Sequence, residues 1–426
     1  VSHEPVYVKG PVSLETFFSP DHSIDTLTNL IQDAPAGSRI DIGTPGVDSW
    51  SGCTYGSTGC DGCTVDAMQA EAFPIFPAIL NAVHKGGCTV RILTNDYGTP
   101  TCEGKIAPLD WFALQPGIEV RNFATVTFLH EKYVQVVPAG TSNSTGPASE
   151  GRKASVSSVN WSQTSFTKNR EAGVILRGGS AGSATLMDFL TTVFEDDWSR
   201  GTAYVVNQTY SPADMATITS PAALPVDIPA PPSIPGEFVT PLPAFFSTAE
   251  ASATGLYVSP DHALSSLSRD LNLSRTSLAV HIYQVTDSDL CYKLQDLHES
   301  GVNVTLLVSD AIYSSYDKNG ARYCYKRLHA AGMRIRLTPS FFTFSHQKYW
   351  IVDGKKLGLS TGNWSPTDFN AAKGGQAGAY PPYPSADWQD TNRDIQFWTT
   401  DATVIGQFQT VMDNDFAAGT DYTPDW

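Results

Sequence analysis

Hydrophobic and polar positions alternate along this chain in two rhythms, and the whole series is run through twice. Short apolar runs such as RILT at 91–94, YVQVV at 133–137 and GVIL at 173–176 have strand length and β-branched content. Between them lie segments such as SIDTLTNLIQ at 23–32, whose apolar residues recur three and four apart and predict amphipathic helices. Each series opens with SPDH, where Ser19 or Ser259 is expected to cap a helix and Pro20 or Pro260 to sit at its first position. Helices alternating with apolar strands predict an α/β sandwich in each half. Eight prolines between Pro221 and Pro243 exclude a regular helix or central strand there. The chain therefore divides into a first domain at 1–212, a Pro-rich connector at 213–245 and a second domain at 246–426.

The two series match in detail. FFSPDHSIDTLTNL at 17–30 corresponds to YVSPDHALSSLSRDL at 257–271, GCTVRILTND at 87–96 to GVNVTLLVSD at 301–310, and GIEVR at 117–121 to GMRIR at 332–336. FLHEKYVQVV, ending at Val137, corresponds to FSHQKYWIVD, ending at Asp353. The first holds His130 and Lys132, the second His346 and Lys348. Two residues apart on a strand, each His and Lys project from one face. A lone pair of this kind would be an ordinary strand. Here it recurs, and its downstream neighbours recur with it: Asn160 of SSVNWSQTSF stands opposite Asn363 of STGNWSPTDF, and Glu171 of NREAGVIL opposite Asp394 of NRDIQFW. VFEDDWSRGTAY closes the first series as VMDNDFAAGTDY closes the second. A Gly-, Ser- and Cys-rich stretch at 44–75 has no counterpart and reads as a lid, rim or partner surface.

Two imidazoles and two ammonium groups converging on one site suit an anion that resists attack, and a phosphodiester is such an anion. Lys132, Lys348, Asn160 and Asn363 can bind the nonbridging oxygens and stabilise transition-state charge. One neutral imidazole can attack phosphorus to give a phosphohistidine while the other, protonated, donates to the leaving oxygen. A carboxylate on each Nδ1–H fixes the tautomer, a role that suits Glu171 and Asp394. The lysines supply the positive charge, so neither metal nor cofactor is expected. Trp161 and Trp364 are expected to pack behind the site, and His281, inside SLAVHIYQV, to be a core or pocket-wall residue.

HQKYWIVD fits the HxK(x)4D signature of the phospholipase D superfamily, and the downstream GNW and acidic residue fit its extension. The resemblance covers both halves. It implies two tandem α-β-α sandwich domains with mixed sheets, related by a pseudo-two-fold axis, with the active site at their interface. It also implies that His130 attacks and His346 protonates. The first motif has Val137 in place of the signature Asp. In that family the Asp supports structure behind the site, so the loss is expected to be tolerated. The N-W-S pattern looks most similar to the secreted or lysosomal eukaryotic branch.

Composition narrows the partners. With 41% hydrophobic and 16% charged residues the chain is globular, and no apolar run approaches the roughly 18 residues of a membrane helix. A net charge of −16 argues against a broad basic surface for nucleic acid, though not against a basic cleft. Seven cysteines and sequons at Asn143, Asn207, Asn272 and Asn303 predict a disulfide-bonded glycoprotein, secreted or lysosomal. Cys60 and Cys63 have CxxC spacing without a second zinc half-site; Cys291 with Cys324 is the simplest disulfide. Asn160 and Asn363 also begin sequons, and both are expected to be bare. Phospholipid and single-stranded nucleic acid both fit the site, with phospholipid favoured by the aromatic segments SFFTF and AYPPYPSADW near the motifs and peripheral contact with a lipid surface expected. A noncatalytic lipid- or glycan-binding descendant is the third reading. An internally duplicated monomer needs no dimer.

Overall fold

A computed structural model describes residues 3–48, 60–71, 74–95, 100–123, 127–140, 151–206, 208–369 and 391–426. Cys53, Asn143, Asn207, much of the 44–75 insertion and the aromatic stretch at 379–388 lie outside the described residues.

Two nine-stranded mixed sheets dominate the fold, and their strand orders are the same. In the first, Arg39–Gly43, Thr89–Thr94 and Ile118–Asn122 run parallel; Tyr133–Val137, Lys153–Ser157, Glu171–Arg177 and Ser13–Ser19 continue the sheet antiparallel on the other side. In the second, the corresponding parallel strands are Ser277–Ile282, Asn303–Val308 and Arg334–Leu337. Lys348–Val352, Lys356–Ser360, Ile395–Thr399 and Ala253–Val258 then take the antiparallel places. This is the α/β fold expected of a phospholipase D-like pair of domains. At one edge of each sheet the outermost strand is exchanged. Val6–Lys9 pairs with Ala253–Val258 of the second sheet, whereas Phe246–Ser247 pairs with Ser13–Ser19 of the first.

The burial pattern explains the layering. Central strands such as Tyr133–Val137 and Lys348–Val352 are buried throughout, as strands covered on both faces must be. Their outer faces meet the helices Ser23–Gln32 and Ile75–His84 in the first half, and Ala263–Asn272, Ser288–Glu299 and Ser315–Ala330 in the second. Their inner faces meet one shared core. There the long helices Ala181–Arg200 and Ala402–Ala418 pack Leu186, Leu190, Phe194, Val404, Phe408 and Val411 between the two sheets. Ser180 and Asp401 cap these helices by accepting first-turn N–H groups.

The SPDH segments behave differently from expectation. The helices begin at Ser23 and Ala263, with His22 and His262 at the N-cap positions, so neither Ser19 nor Ser259 caps a helix. Both Ser–Pro bonds are cis, and the segment forms a turn ahead of the helix. Ser259 is used otherwise: its Oγ donates to Asn392 O (2.7 Å) and accepts from Asp394 N–H (3.0 Å).

The connector lacks strand or α-helix between Ser220 and Phe245, as its prolines require. It lies on the protein surface: Leu224 exchanges backbone hydrogen bonds with the Asn81 side chain, Thr240 N–H donates to Asp21, and Phe238 stacks on Phe341. Cys291 and Cys324 form a disulfide joining two outer helices, and Cys60 is joined to Cys102. Cys88 is a buried free thiol.

Candidate active site

The two HxK segments enter the site by the same route, each through the other half. His130 N–H donates to Arg393 O (2.9 Å), and His346 N–H donates to Arg170 O (2.8 Å). The side chains repeat this exchange. His130 Nδ1 lies 3.1 Å from Asp394 Oδ1, and His346 Nδ1 lies 3.0 and 3.1 Å from the Glu171 oxygens. Each imidazole is therefore held by a carboxylate that the opposite half supplies. With Nδ1 engaged, Nε2 is the position left to act on a substrate.

Lys132 and Lys348 follow on the same strand face. Lys132 Nζ donates to His130 O (2.5 Å) and across the interface to Thr361 O (3.1 Å); Lys348 Nζ donates to His346 O (2.5 Å). Both lysines are buried. Burial pushes Lys132 down to about 8 and Lys348 well below the usual lysine range, with the carboxylates opposing. Asn160 and Asn363 are half-buried, and Asn363 Oδ1 has no hydrogen-bond partner among the described residues. The adjacent Trp161 and Trp364 are buried, their carbonyls accepting N–H groups from Asp48, Thr286 and Asp287, so they pack rather than face a ligand. His281 is also fully buried, among Tyr349, Ser345 and Gln347.

The tripeptides Asn-Arg-Glu and Asn-Arg-Asp carry more than their acids. Arg170 makes a bidentate pair with Asp415 (2.8 and 2.9 Å), and Arg393 pairs with Asp197 (3.0 and 3.1 Å). Each partner sits near the end of the other half's long helix. Each arginine also donates to the carbonyl of a cis-Pro serine, Ser19 for Arg170 and Ser259 for Arg393. Sequence reasoning aligned all four residues without assigning them a task. The signal was present: an Arg beside each acid and an Asp in each closing helix recur in both halves.

Asp353 and Val137 occupy equivalent strand ends away from the histidines. Asp353 accepts from the N–H groups of Arg275, Thr276 and Ser277 and from the Thr276 hydroxyl. Desolvation pushes its pKa up, but these donors outweigh it and hold the carboxylate at about 2. Val137 is buried in the first sheet beside Arg39 and has no such role. The middle residues of the motifs also differ. Gln347 bonds His281, whereas Glu131, 1% exposed, lies against Gly43, where an added Cβ would meet its Oε1 at 2.0 Å. Burial, then Asp197, raises the Glu131 pKa well above the usual range, which favours the neutral acid at the place that Gln347 takes in the other motif.

One further carboxylate reaches the site. Asp368 Oδ1 lies 3.2 Å from His130 Nδ1, and with Asp394 the three donor atoms fall within 4.8 Å of one another. That spacing is small enough for a cation; protein donors occupy both Asp368 oxygens and Asp394 Oδ1, while Asp394 Oδ2 has no hydrogen-bond partner among the described residues. Asn392 Nδ2 is on Asp368 Oδ1 (2.6 Å), Asn363 N–H and Ser365 Oγ are on Asp368 Oδ2 (2.9 and 2.6 Å), and Thr361 is on Asp394 Oδ1 (2.6 Å). Both Oδ1 atoms face His130 Nδ1, so the pair can hold the Nδ1–H of that ring.

Two interlocked half-sites of His, Lys and carboxylate, on two equivalent sheets, define a phospholipase D-like class of protein. The family described as "Cardiolipin synthase, PLD-like domain" matches residues 64–198 and 267–375, more than half of the chain and once in each half; the chain belongs to this family. Among solved structures, phosphatidylserine synthase of Haemophilus influenzae is similar over 96% of this chain and 87% of its own, at 12% identity and a TM-score of 0.60. Polyphosphate kinase of Porphyromonas gingivalis is similar over 94% of this chain and 46% of its own, at 11% identity and a TM-score of 0.54. Nuc of Salmonella typhimurium, a phospholipase D family member, aligns with 40% of this chain and 98% of its own, at 15% identity and a TM-score of 0.32. No curated protein matches the sequence.

Proposed function

We propose that this chain is a phosphodiesterase of phospholipase D type that works through a covalent phosphohistidine without a metal, and that its substrate is a phospholipid head-group ester. The observation that carries the reading is the crosswise pairing of His130 with Asp394 and His346 with Glu171, each beside a buried lysine. One histidine attacks phosphorus and the other serves the leaving oxygen. Burial lowers both Lys132 and Lys348, and a substrate phosphate between them would favour their charged forms.

Exposed aromatics near His346 support a lipid. The Tyr283 ring is 5.0 Å from the His346 ring, and its hydroxyl accepts from Tyr313 N–H (2.7 Å). The Tyr313 side chain is 89% exposed, and Phe341, in the segment leading to His346, is 43% exposed. Such rings are at home where hydrocarbon meets water. Among the described residues no helix is long and apolar enough to cross a membrane, so contact would be peripheral. A secreted or lysosomal setting is supported by the disulfides and by exposed sequon residues Asn272 and Asn303.

The test is phosphatidylethanol formation from phosphatidylcholine with ethanol and a chelator present. Product establishes lipid use, metal independence and an intermediate that alcohol intercepts. No product from folded protein at acidic and neutral pH overturns the lipid reading; cleavage of single-stranded oligonucleotides by the same sample would then make the enzyme a nuclease.

A further inference from the structure

The pseudo-two-fold relating the half-sites fails at a residue that contacts one of the histidines. In NWSPTDF the sixth residue is Asp368; in NWSQTSF it is Ser165. The surroundings are otherwise equivalent: Asn392 Nδ2 donates to Asp368 Oδ1 (2.6 Å), and Asn169 Nδ2 reaches Ser165 Oγ (3.4 Å). His130 Nδ1 consequently faces two carboxylates, Asp394 and Asp368. His346 Nδ1 faces one, Glu171, and the carbonyl of Ser158 (3.2 Å).

We propose that Asp368 is a positioning residue that gives His130 a second carboxylate and so makes His130 the acid of the reaction, leaving His346 as the nucleophile. This rests on the phosphodiesterase reading above and reverses the order that resemblance to the family implies. Charge decides it. A single proton shared by two histidines goes to the ring with more negative charge at its back.

The remaining charged groups act in the same direction. Burial and Lys132 push His130 down, but Asp394 and Asp368 outweigh them and its pKa stands above the ordinary histidine value. Burial pushes His346 down to about 4, with Lys348 and Lys132 adding to the fall and Glu171 opposing it. Asp368 itself is an ionised partner: burial pushes it up, but His130 and the Ser365 hydroxyl hold it below the usual range. Asp394 is raised by burial and then by Asp368, with the His130 ring opposing both.

The steps then balance. The lone pair on His346 Nε2 forms the N–P bond as the bond from phosphorus to the leaving oxygen breaks, and the Nε2 proton of His130 passes to that oxygen. Neutral His130 next takes a proton from water or an alcohol, whose oxygen attacks phosphorus and breaks the N–P bond. Between the two histidine pKa values this protonation state is the abundant one; the reverse order would draw on a minor species.

The order is read with bis(p-nitrophenyl) phosphate, whose leaving group needs little protonation. His130→Ala should retain a burst of one p-nitrophenolate and carry a p-nitrophenyl phosphoryl group on His346 by mass spectrometry after acid-free quenching, while His346→Ala shows neither. A p-nitrophenyl phosphoryl group on His130 in His346→Ala overturns the assignment and leaves the phosphodiesterase reading intact. Absence of turnover by wild-type protein on this diester, lipid and oligonucleotide overturns both. Asp368→Ser, the residue of the other half, tests the positioning role: kcat/KM on an alkyl ester should fall about 10-fold at pH 7 and on the p-nitrophenyl ester by less than about 3-fold. The fall in activity at high pH should move to lower pH. Asp368→Asn, which preserves more of the turn's hydrogen bonds, should act in the same direction. Equal losses on both esters, or movement of the acid-side limb instead, would overturn it.

Discussion

Replacing Arg170 with Met tests how far the two halves depend on their buried ion pairs. The Arg170 side chain is 1% exposed and that of Asp415 is 0% exposed. The arginine also donates to Phe238 O (3.0 Å) and lies 4.5 Å from the Phe342 ring centroid. Methionine keeps much of the hydrocarbon but strands the Asp415 carboxylate in the protein interior. Breaking such a pair from one side costs about 3–5 kcal/mol, whereas neutralising an exposed pair costs about 1 kcal/mol or less. Glu119→Gln, which neutralises the exposed Glu119 partner of Arg121, is the internal control. With an m-value of ~3 kcal/mol/M in urea, Arg170→Met should lower the unfolding midpoint by about 1–1.7 M. Adding Asp415→Leu should restore most of the loss, because the desolvated charge is then gone, giving a coupling energy above about 2 kcal/mol. Since Arg170 O receives the His346 N–H, kcat should also fall in the single mutant. A midpoint within about 0.3 M of wild type, or no recovery in the double mutant, would refute the argument that this pair clamps the halves.

Four further outcomes are expected of the site and its supports. Glu131→Gln should leave the fold unchanged and reduce the loss of stability with rising pH. The folded pKa of Glu131 is raised above the unfolded one, so its contribution is present below the unfolded carboxylate pKa and declines as pH rises above it; urea midpoints at pH 5 and 8 read this, and an unchanged slope would contradict it. Val137→Asp should change activity little, whereas Asp353→Asn should flatten the stability lost between about pH 4 and about pH 2, because its folded pKa lies below the unfolded one. Tungstate binding near pH 8 should take up protons as the buried lysines become fully charged; calorimetry in buffers of different ionisation enthalpy measures this, and proton release would contradict the placement of Lys132 and Lys348.

The sequence made the duplicated α/β architecture legible because each element recurs with its own periodicity, and periodicity is a local property. The residues gathered at the site were legible for a related reason: His, Lys, Asn and acid recur in one order. Which acid serves which histidine was not, because an alignment of halves puts Glu171 beside His130 whereas the fold carries it across to His346. Asp368 was missed because its counterpart is Ser165, so a search for repeated residues passes over it. The SPDH segments misled because Ser-Pro ahead of an amphipathic run is also the pattern of a helix start; here it forms a turn whose Ser259 Oγ accepts the Asp394 N–H.

The exchange of outer strands makes each half incomplete when taken alone. Val6–Lys9 travels with the first half but finishes the second sheet, and Phe246–Ser247 travels with the second half but finishes the first. Severing the connector at 225–235 would therefore leave two fragments that lend each other an edge and share one core between them. Co-expressed, they should assemble as a complementing pair; expressed singly, each would present an unpaired sheet edge and half an interface. Such mutual dependence is what a fused dimer with swapped strands would pass on to its single-chain descendant.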